Sequence, residues 1–390
     1  MKKISAIIFI IYGMCFPTLQ AQTFAERIEV LLEDSLLQDS EVGLMVYDLD
    51  ADSLLYAYQE DKLYRPASTE KIVTCVAALD KLGVDYPIET SLYHTGRITE
   101  DSLLEGCLYI IGRFDPLFSM DDLSQMTAAV KNFGINRIEG KLIGNVSMKD
   151  TLKWGSGWCW DDEMPVLSPL LCEQTDSLLF MLKRELGKNQ IALADTFPIY
   201  VDAHPDSILT LVYRCQRTLG DLLPKMMKKS DNLHAEAVFY QLAAQTGKSY
   251  AQAKDAKESI KELIERLGHD SKRYRIADGS GASLYNYLSP CLLIDFLRYA
   301  YENEHIFQPL YESMPIAGKD GTLRYRMKKG SLAYNNVHAK TGTVTGVVSL
   351  AGYAHASNGH LLAFAMINQN TLRPRLVRQW QDRVCEELCR

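Results

Sequence analysis

Ser68 and Lys71 stand three positions apart in Ser68-Thr69-Glu70-Lys71, at the start of a stretch with helical periodicity, so their side chains share one helix face. A serine hydroxyl is a weak nucleophile until a neighbouring base takes its proton, and a lysine whose pKa is lowered by burial can be that base. The first turn of a helix adds free backbone N–H groups and the positive end of the dipole. The same four residues also read as a serine N-cap beside a solvated lysine. Ser230-Asp231-Asn232 falls in a break between two helical stretches, just after Lys228 and Lys229. There Ser230 can pass a proton between Lys71 and a leaving group and Asn232 can hold a substrate amide, or the trio can simply cap a helix. Lys340-Thr341-Gly342-Thr343 ends a late strand pattern. Its lysine and threonine suit a substrate carboxylate and Gly342 lets a substrate backbone approach the strand edge; the plain alternative is a turn with a surface lysine.

Positioning these residues takes both ends and the middle of the chain. Phe24, Ile28, Leu31, Leu32 and Leu36 make a helical stripe over residues 23–37. Residues 42–49 and 54–58 read as strands joined through Asp50-Ala51-Asp52-Ser53. Residues 68–82 form a predicted helix ending at Gly83, and residues 219–227, 233–244 and 250–267 form further ones, the last closed by Gly268. Residues 337–340, 347–353 and 361–367 are strand-like and precede an amphipathic helix carrying Leu376, Trp380, Val384 and Leu388. Two early strands, three late ones and helices at both termini predict an antiparallel sheet closed by both chain ends and sandwiched by helices, an α/β (α+β) fold. Residues 91–197 differ, with short strands at 108–111 and 141–146, a helix near 121–133 and the turn-rich run from Trp154 to Asp162. They read as an inserted, smaller α/β lobe in a main domain of residues 22–90 and 198–390.

A length of 390 residues fits such a two-lobed chain. The composition, 47% hydrophobic and 23% charged, excludes a disordered or fibrous protein. A net charge of −7 and a pI of about 5.7 leave no cation excess for phosphate neutralisation, so no nucleic-acid partner is expected. Lys2 and Lys3, the apolar residues 4–19 and Gln20-Ala21-Gln22 follow the order of a secretory signal spanning residues 1–21, which predicts an exported, periplasmic protein. Cleavage takes the charge from −7 to −9, because two lysines and no acids leave. The run is short for a membrane anchor and the residues before Cys15 suit lipidation poorly, so association with membrane or wall is expected to be peripheral at most. Eight of nine cysteines remain, an even number in a compartment that permits disulfides, and Cys159 with Cys172 or Cys385 with Cys389 can pair. No CxxC pair or Cys/His cluster has zinc spacing, so no metal and no other cofactor is expected.

S-x-x-K, S-D-N and K-T-G, once each and in this order, are the set carried by penicillin-binding proteins and class A β-lactamases. More specifically, the chain resembles the low-molecular-mass class C penicillin-binding proteins, peptidase family S13, which are D-alanyl-D-alanine carboxypeptidases and DD-endopeptidases. Pro66-Ala67-Ser68-Thr69, Ser230-Asp231-Asn232-Leu233 with Ala235-Glu236, Asp278-Gly279-Ser280-Gly281, Gly321-Thr322-Leu323 and Ala339-Lys340-Thr341-Gly342-Thr343 are similar to that family over nearly the whole mature chain. Gly157-Trp158-Cys159-Trp160-Asp161-Asp162 is similar to a signature of its inserted lobe. The resemblance implies a β-lactamase/transpeptidase-like fold, peptidoglycan peptides and cross-links as substrates, and β-lactams as ligands. It also implies Ser68 as nucleophile, Lys71 as general base, Ser230 as proton relay to the departing D-alanine and Asn232 as the residue that positions the peptide. Lys340 and Thr341 would bind the terminal carboxylate or support Ser230, and the backbone N–H groups of Ser68 and Thr343 would form the oxyanion hole. Asp162, with Asp161 as the alternative, would read the amine of a diamino acid side chain.

The chain departs from the family in three places. The 162 positions from Ser68 to Ser230 are fewer than in longer members, which implies that a second nested insertion is missing. Cys75 stands on the catalytic helix, and Leu284 replaces a residue that is often basic. Two other readings share the motifs. A serine β-lactamase or esterase needs a dedicated deacylating base, and no residue other than Glu70 offers itself. A non-catalytic cell-wall or β-lactam sensor usually carries a membrane span.

Overall fold

Apolar residues alternate along the last two strand patterns, and the alternation divides one sheet between two cores. Leu362, Phe364 and Met366 face one side, Ala363, Ala365 and Ile367 the other. The computed structural model describes residues 22–194, 199–201 and 208–390. The predicted signal (1–21) and the predicted boundary between residues 197 and 198 lie outside the described residues.

The chain enters through α1 (Phe24–Leu32), β1 (Glu41–Asp48), β2 (Ser53–Tyr58) and α2 (Glu70–Leu82). It then passes through β3 (Pro87–His94), β4 (Arg97–Ile98), β5 (Leu103–Glu105), β6 (Leu108–Gly112), α3 (Met120–Asn132), β7 (Arg137–Ile138), β8 (Leu142–Asn145), α4 (Leu178–Lys188), β9 (Ala192–Leu193), β10 (Ile199–Val201) and β11 (Thr210–Thr218). The helices α5 (Leu219–Lys228), α6 (Asn232–Ala244), α7 (Ala253–Arg266), α8 (Pro290–Glu302) and α9 (Glu304–Ser313) follow. The last elements are β12 (His338–Val344), β13 (Val347–His355), β14 (Leu361–Gln369) and α10 (Pro374–Leu388).

The main sheet has the order β12-β13-β14-β1-β2 and is antiparallel throughout. Its α1/α10 face is closed by both ends of the chain: Trp380 Nε1 donates to the Leu31 carbonyl at 2.7 Å, and Arg27 pairs with Glu387 at 2.7 Å. The opposite face packs on α2 and α8. A second sheet, β10-β8-β6-β3-β11, and a small one, β4-β5-β7-β9, enclose a core of their own. The strands of the second sheet lie within residues 87–218 because β3 pairs with β11 from His94 to Pro87. We place the limits of the smaller lobe there.

Two local expectations are corrected, and the open question of cysteine pairing is answered. The helical stripe over residues 23–37 breaks after Leu32, because Asp34 accepts the N–H of Leu36 and starts a short 3₁₀ turn, Ser35–Leu37. Lys340-Thr341-Gly342 does not end its strand: the ladder to β13 continues to Val344, so the motif sits mid-strand on the sheet edge. The eight described cysteines are all free, including Cys159, Cys172, Cys385 and Cys389. Cys385 and Cys389 lie one turn apart and serve as small core residues under α10. No helix among the described residues is long and apolar enough to cross a membrane.

Candidate active site

Ser68 lies in a 3₁₀ turn, Ala67–Thr69, that leads directly into α2. Ala67 holds the left-handed φ of 48°, a strained conformation for a residue with a Cβ. The turn is pinned by Thr69 Oγ1 and Ser349 Oγ, which both donate to the Pro66 carbonyl, at 2.7 and 2.6 Å. From the first turn of α2, Lys71 Nζ reaches Ser68 Oγ at 2.9 Å, Asn232 Oδ1 at 2.8 Å and the Ser280 carbonyl at 2.7 Å. Lys71 is fully buried. Burial pushes its pKa down to about 8, against the opposing pull of Asp278, Glu236, Asp231 and Glu70.

Two of those contacts go to fixed acceptors. In the neutral amine they use both N–H bonds and leave the lone pair aimed at the Ser68 hydroxyl, which is the geometry a general base needs.

Ser230 adopts φ 59°, another left-handed residue, and turns the chain sharply from α5 to α6. Asp231 caps α6 by accepting the His234 N–H at 3.0 Å and also takes His234 Nδ1 at 2.8 Å, which fixes Asn232 at the helix start. Lys340 projects from β12 and donates to Ser230 Oγ at 2.8 Å and to the Thr341 carbonyl at 2.6 Å. Burial, with the Lys71 charge second, holds the Lys340 pKa well below the usual lysine range. Gly342 lies against the turn that carries Ser68: a Cβ there would sit 2.9 Å from both Ser68 N and Pro66 O. Ser68, Lys71, Ser230, Asn232, Lys340 and Gly342 are thus gathered on one edge of the sheet, with the Thr341 and Thr343 side chains on the other face of the same strand.

Behind Lys71 stands a polar layer without a role in the sequence reading. Glu236, four residues beyond Asn232 on α6, accepts the N–H groups of Gly279 and Ser280 at 3.1 and 2.9 Å and so aims the Ser280 carbonyl at Lys71. Burial and the Asp278 charge push Glu236 up to about 8. Asp278 accepts Gly281 N, Ser283 N and Asn286 Nδ2 at 2.7–2.9 Å, and Trp158 Nε1 of the smaller lobe at 2.7 Å. A buried acid in an apolar helix at i+4 from Asn232, and the two glycines of the Asp-Gly-Ser-Gly run, were the available signals. Glu70 is fully buried beside Gly281, and burial raises its carboxyl well above the usual range, so it is no exposed base for a water molecule.

Gly281→Ala tests this layer. Gly281 has φ 76°, and a Cβ would run into the Ala67 carbonyl. Denaturant unfolding should show a loss of at least about 2 kcal/mol, together with reduced acylation of Ser68. Unchanged stability would mean that this close approach is not required.

Asp161 and Asp162 are exposed on the loop after Trp158. A pocket of about 380 Å³ beside Asn232 is lined by Glu163, Met164, Pro165 and Gln174 rather than by either aspartate. A separate apolar hollow of about 330 Å³ between Leu167 and Phe180 contains none of the catalytic group. Ligand atoms of His269, Cys291 and Asp295 lie within 4.8 Å of one another, away from the motifs. They are already engaged: His269 Nε2 with Asp295 at 2.7 Å, and Arg298 with Asp295 at 3.3 Å.

The chain matches the model of the D-Ala-D-Ala carboxypeptidase 3 (S13) family over residues 24–171 and 171–386. It is 27% identical to the D-alanyl-D-alanine carboxypeptidase DacB of Haemophilus influenzae, over 93% of each chain. The solved penicillin binding protein 4 of that organism shares its fold, with a TM-score of 0.82, 23% identity and coverage of 93% of this chain and 99% of that one. The same protein has also been solved with a bound β-lactam, at a TM-score of 0.74, 24% identity and coverage of 93% and 98%. A predatory endopeptidase of Bdellovibrio bacteriovorus matches with a TM-score of 0.60, 18% identity and coverage of 89% and 94%. By that match along nearly its whole length, the chain belongs to the D-Ala-D-Ala carboxypeptidase 3 (S13) family.

Proposed function

We propose that the protein is a serine D-alanyl-D-alanine carboxypeptidase and DD-endopeptidase that acts on peptidoglycan stem peptides and cross-links. The observation that carries this is the three-way hold on Lys71 Nζ by Ser68, Asn232 and the Ser280 carbonyl. Ser68 Oγ attacks the carbonyl carbon of the penultimate D-alanine as Lys71 takes its proton. The backbone N–H groups of Ser68 and Thr343 stabilise the oxyanion. Ser230 accepts a hydrogen bond from Lys340, so its own O–H is free to protonate the departing amine, and Lys71 re-supplies that proton through Ser230. Collapse breaks the C–N bond, releases D-alanine or the cross-linked amine, and leaves an acyl-Ser68 ester. Water then adds to the ester and frees Ser68.

Asn232 holds the peptide amide, and Thr341 with Thr343 receives the terminal carboxylate. Asp162, with Asp161 as the alternative, offers an exposed carboxylate suited to the ammonium group of a diamino acid side chain. Lys2, Lys3 and the apolar run after them support export by a cleaved signal, with wall or membrane contact limited to the periphery. The buried, raised carboxyl of Glu70 weighs against fast penicillin hydrolysis.

The test uses the mature protein and a peptide ending in D-Ala-D-Ala. Free D-alanine should appear at the same rate with and without a chelator, and benzylpenicillin should leave a lasting adduct in the intact mass. An adduct that disappears as penicillin is consumed would support a β-lactamase instead, and no adduct with no D-alanine would leave the sensor reading.

A further inference from the structure

Strand geometry sets which residues of β12 look toward α10. Ala339 packs in the core beneath α1 and α10, whereas Lys340 reaches the other way to Ser230. By the two-residue period, Thr341 and Thr343 share the α10 side, beyond the covered part of the edge strand. There each hydroxyl is held from outside the Lys-Thr-Gly motif. Thr341 Oγ1 donates to Thr322 Oγ1 at 2.7 Å, and Arg378 of α10 donates from Nη2 to Thr343 Oγ1 at 3.3 Å.

These directions leave the O–H groups of Thr322 and Thr343 and the guanidinium N–H groups of Arg378 free to donate, while Thr341 has spent its O–H in orienting Thr322. Thr322 accepts from Thr341 and keeps its own O–H to give; Thr343 accepts from Arg378 and does the same. The guanidinium has further N–H groups and accepts nothing. No ion pair among the described residues involves Arg378, although Arg326 beside it is matched by Asp382 at 2.8 Å and donates to the Arg378 carbonyl at 3.1 Å. Arg378 is therefore clamped through its backbone while its charge is left unmatched. Thr322 is equally fixed, on a 3₁₀ turn anchored by buried Leu323, with Gly321 at φ 53° close against the Lys228 carbonyl.

We infer that Arg378 and Thr322 are specificity-determining residues that, with Thr341 and Thr343, read the free carboxylate at the end of the scissile peptide. Two hydroxyls with an O–H to give, beside a guanidinium that can only donate, fit a group that can only accept, and a guanidinium suits a carboxylate best. The inference rests on the peptidase reading above, and it supplies a cation on the face of the strand opposite to the one from which Lys340 reaches Ser230. A rim arginine that merely buttresses Thr343 would instead support all substrates alike.

The experiment compares a peptide ending in D-Ala-D-Ala as free acid with the same peptide as C-terminal amide, on wild type, Arg378→Met, Arg378→Lys, Thr322→Val and Arg375→Gln. Arg375 is an exposed cation of the same helix and controls for general surface charge. Arg378→Met should lose about tenfold in kcat/KM on the acid, mostly through KM, and less than about threefold on the amide. Arg378→Lys should recover part of the preference, Thr322→Val should lose about threefold on the acid, and Arg375→Gln should keep the wild-type ratio. Equal losses on acid and amide, an unchanged ratio in Arg378→Met, or the same change in Arg375→Gln would each overturn the inference. A wild-type protein that cleaves neither peptide and takes no penicillin adduct would instead overturn the peptidase reading beneath it.

Discussion

Ser68→Ala should lose essentially all turnover, on the order of a million-fold in kcat as for other enzymes with a serine nucleophile, while staying folded. Without Oγ no ester can form, so neither D-alanine release nor a penicillin adduct should be detectable. The fold should tolerate the change because Lys71 keeps its bonds to Asn232 Oδ1 at 2.8 Å and the Ser280 carbonyl at 2.7 Å. One lost hydrogen bond costs about 1 kcal/mol. Intact mass after exposure to penicillin, alongside a thermal melt, checks both halves. A penicillin adduct on the variant would discard Ser68 as the nucleophile.

Replacing the base should show in the pH profile as well as in the rate. Lys71→Met should slow acylation by about a thousandfold, within the usual range for general-base catalysis. In the wild type the active form is the neutral amine, and burial lowers the Lys71 pKa to about 8. Below that pH the lysine holds its proton, so acylation should fall about tenfold per unit as the medium becomes more acidic; above it the rate should level off. The residual activity of Lys71→Met should lack this limb. Stopped-flow acylation by a chromogenic β-lactam between about pH 6 and 9 gives both curves. A wild-type profile flat over that range would remove Lys71 from the role, whatever the effect of the substitution on rate.

The side chains that meet at the candidate site were legible in the sequence because each is tied to a local signal. Ser68 and Lys71 share a helix face through their spacing, Asn232 follows a helix cap, and Lys340 lies in a β-rich run. The strands near both chain ends were legible as apolar runs set between turns, and their antiparallel pairing follows from closing both ends over one core. Where local chemistry competed, the reading slipped. Asp34 ends α1 early by capping the next turn, and the β-branched residues Thr341, Thr343 and Val344 carry β12 past the expected stop. Cysteine count left pairing open, and the described thiols are free.

By itself, then, the sequence determined which residues meet at the candidate site, the order of the elements that hold them, and the family resemblance. Only the tertiary structure decided what surrounds each reactive group. The Lys71 pKa of about 8 arises from burial, which outweighs the opposing pull of Asp278 and Glu236 from two distant segments. Glu236 aims the Ser280 carbonyl from 44 residues away, Trp158 reaches Asp278 across 120 positions, and Arg378 meets Thr343 from a helix 35 residues downstream. Periodicity and spacing report neighbours along one helix or strand. A pKa, an aimed carbonyl and an unmatched charge depend on desolvation and on contacts between segments far apart in the chain, and those exist only once the layers have packed.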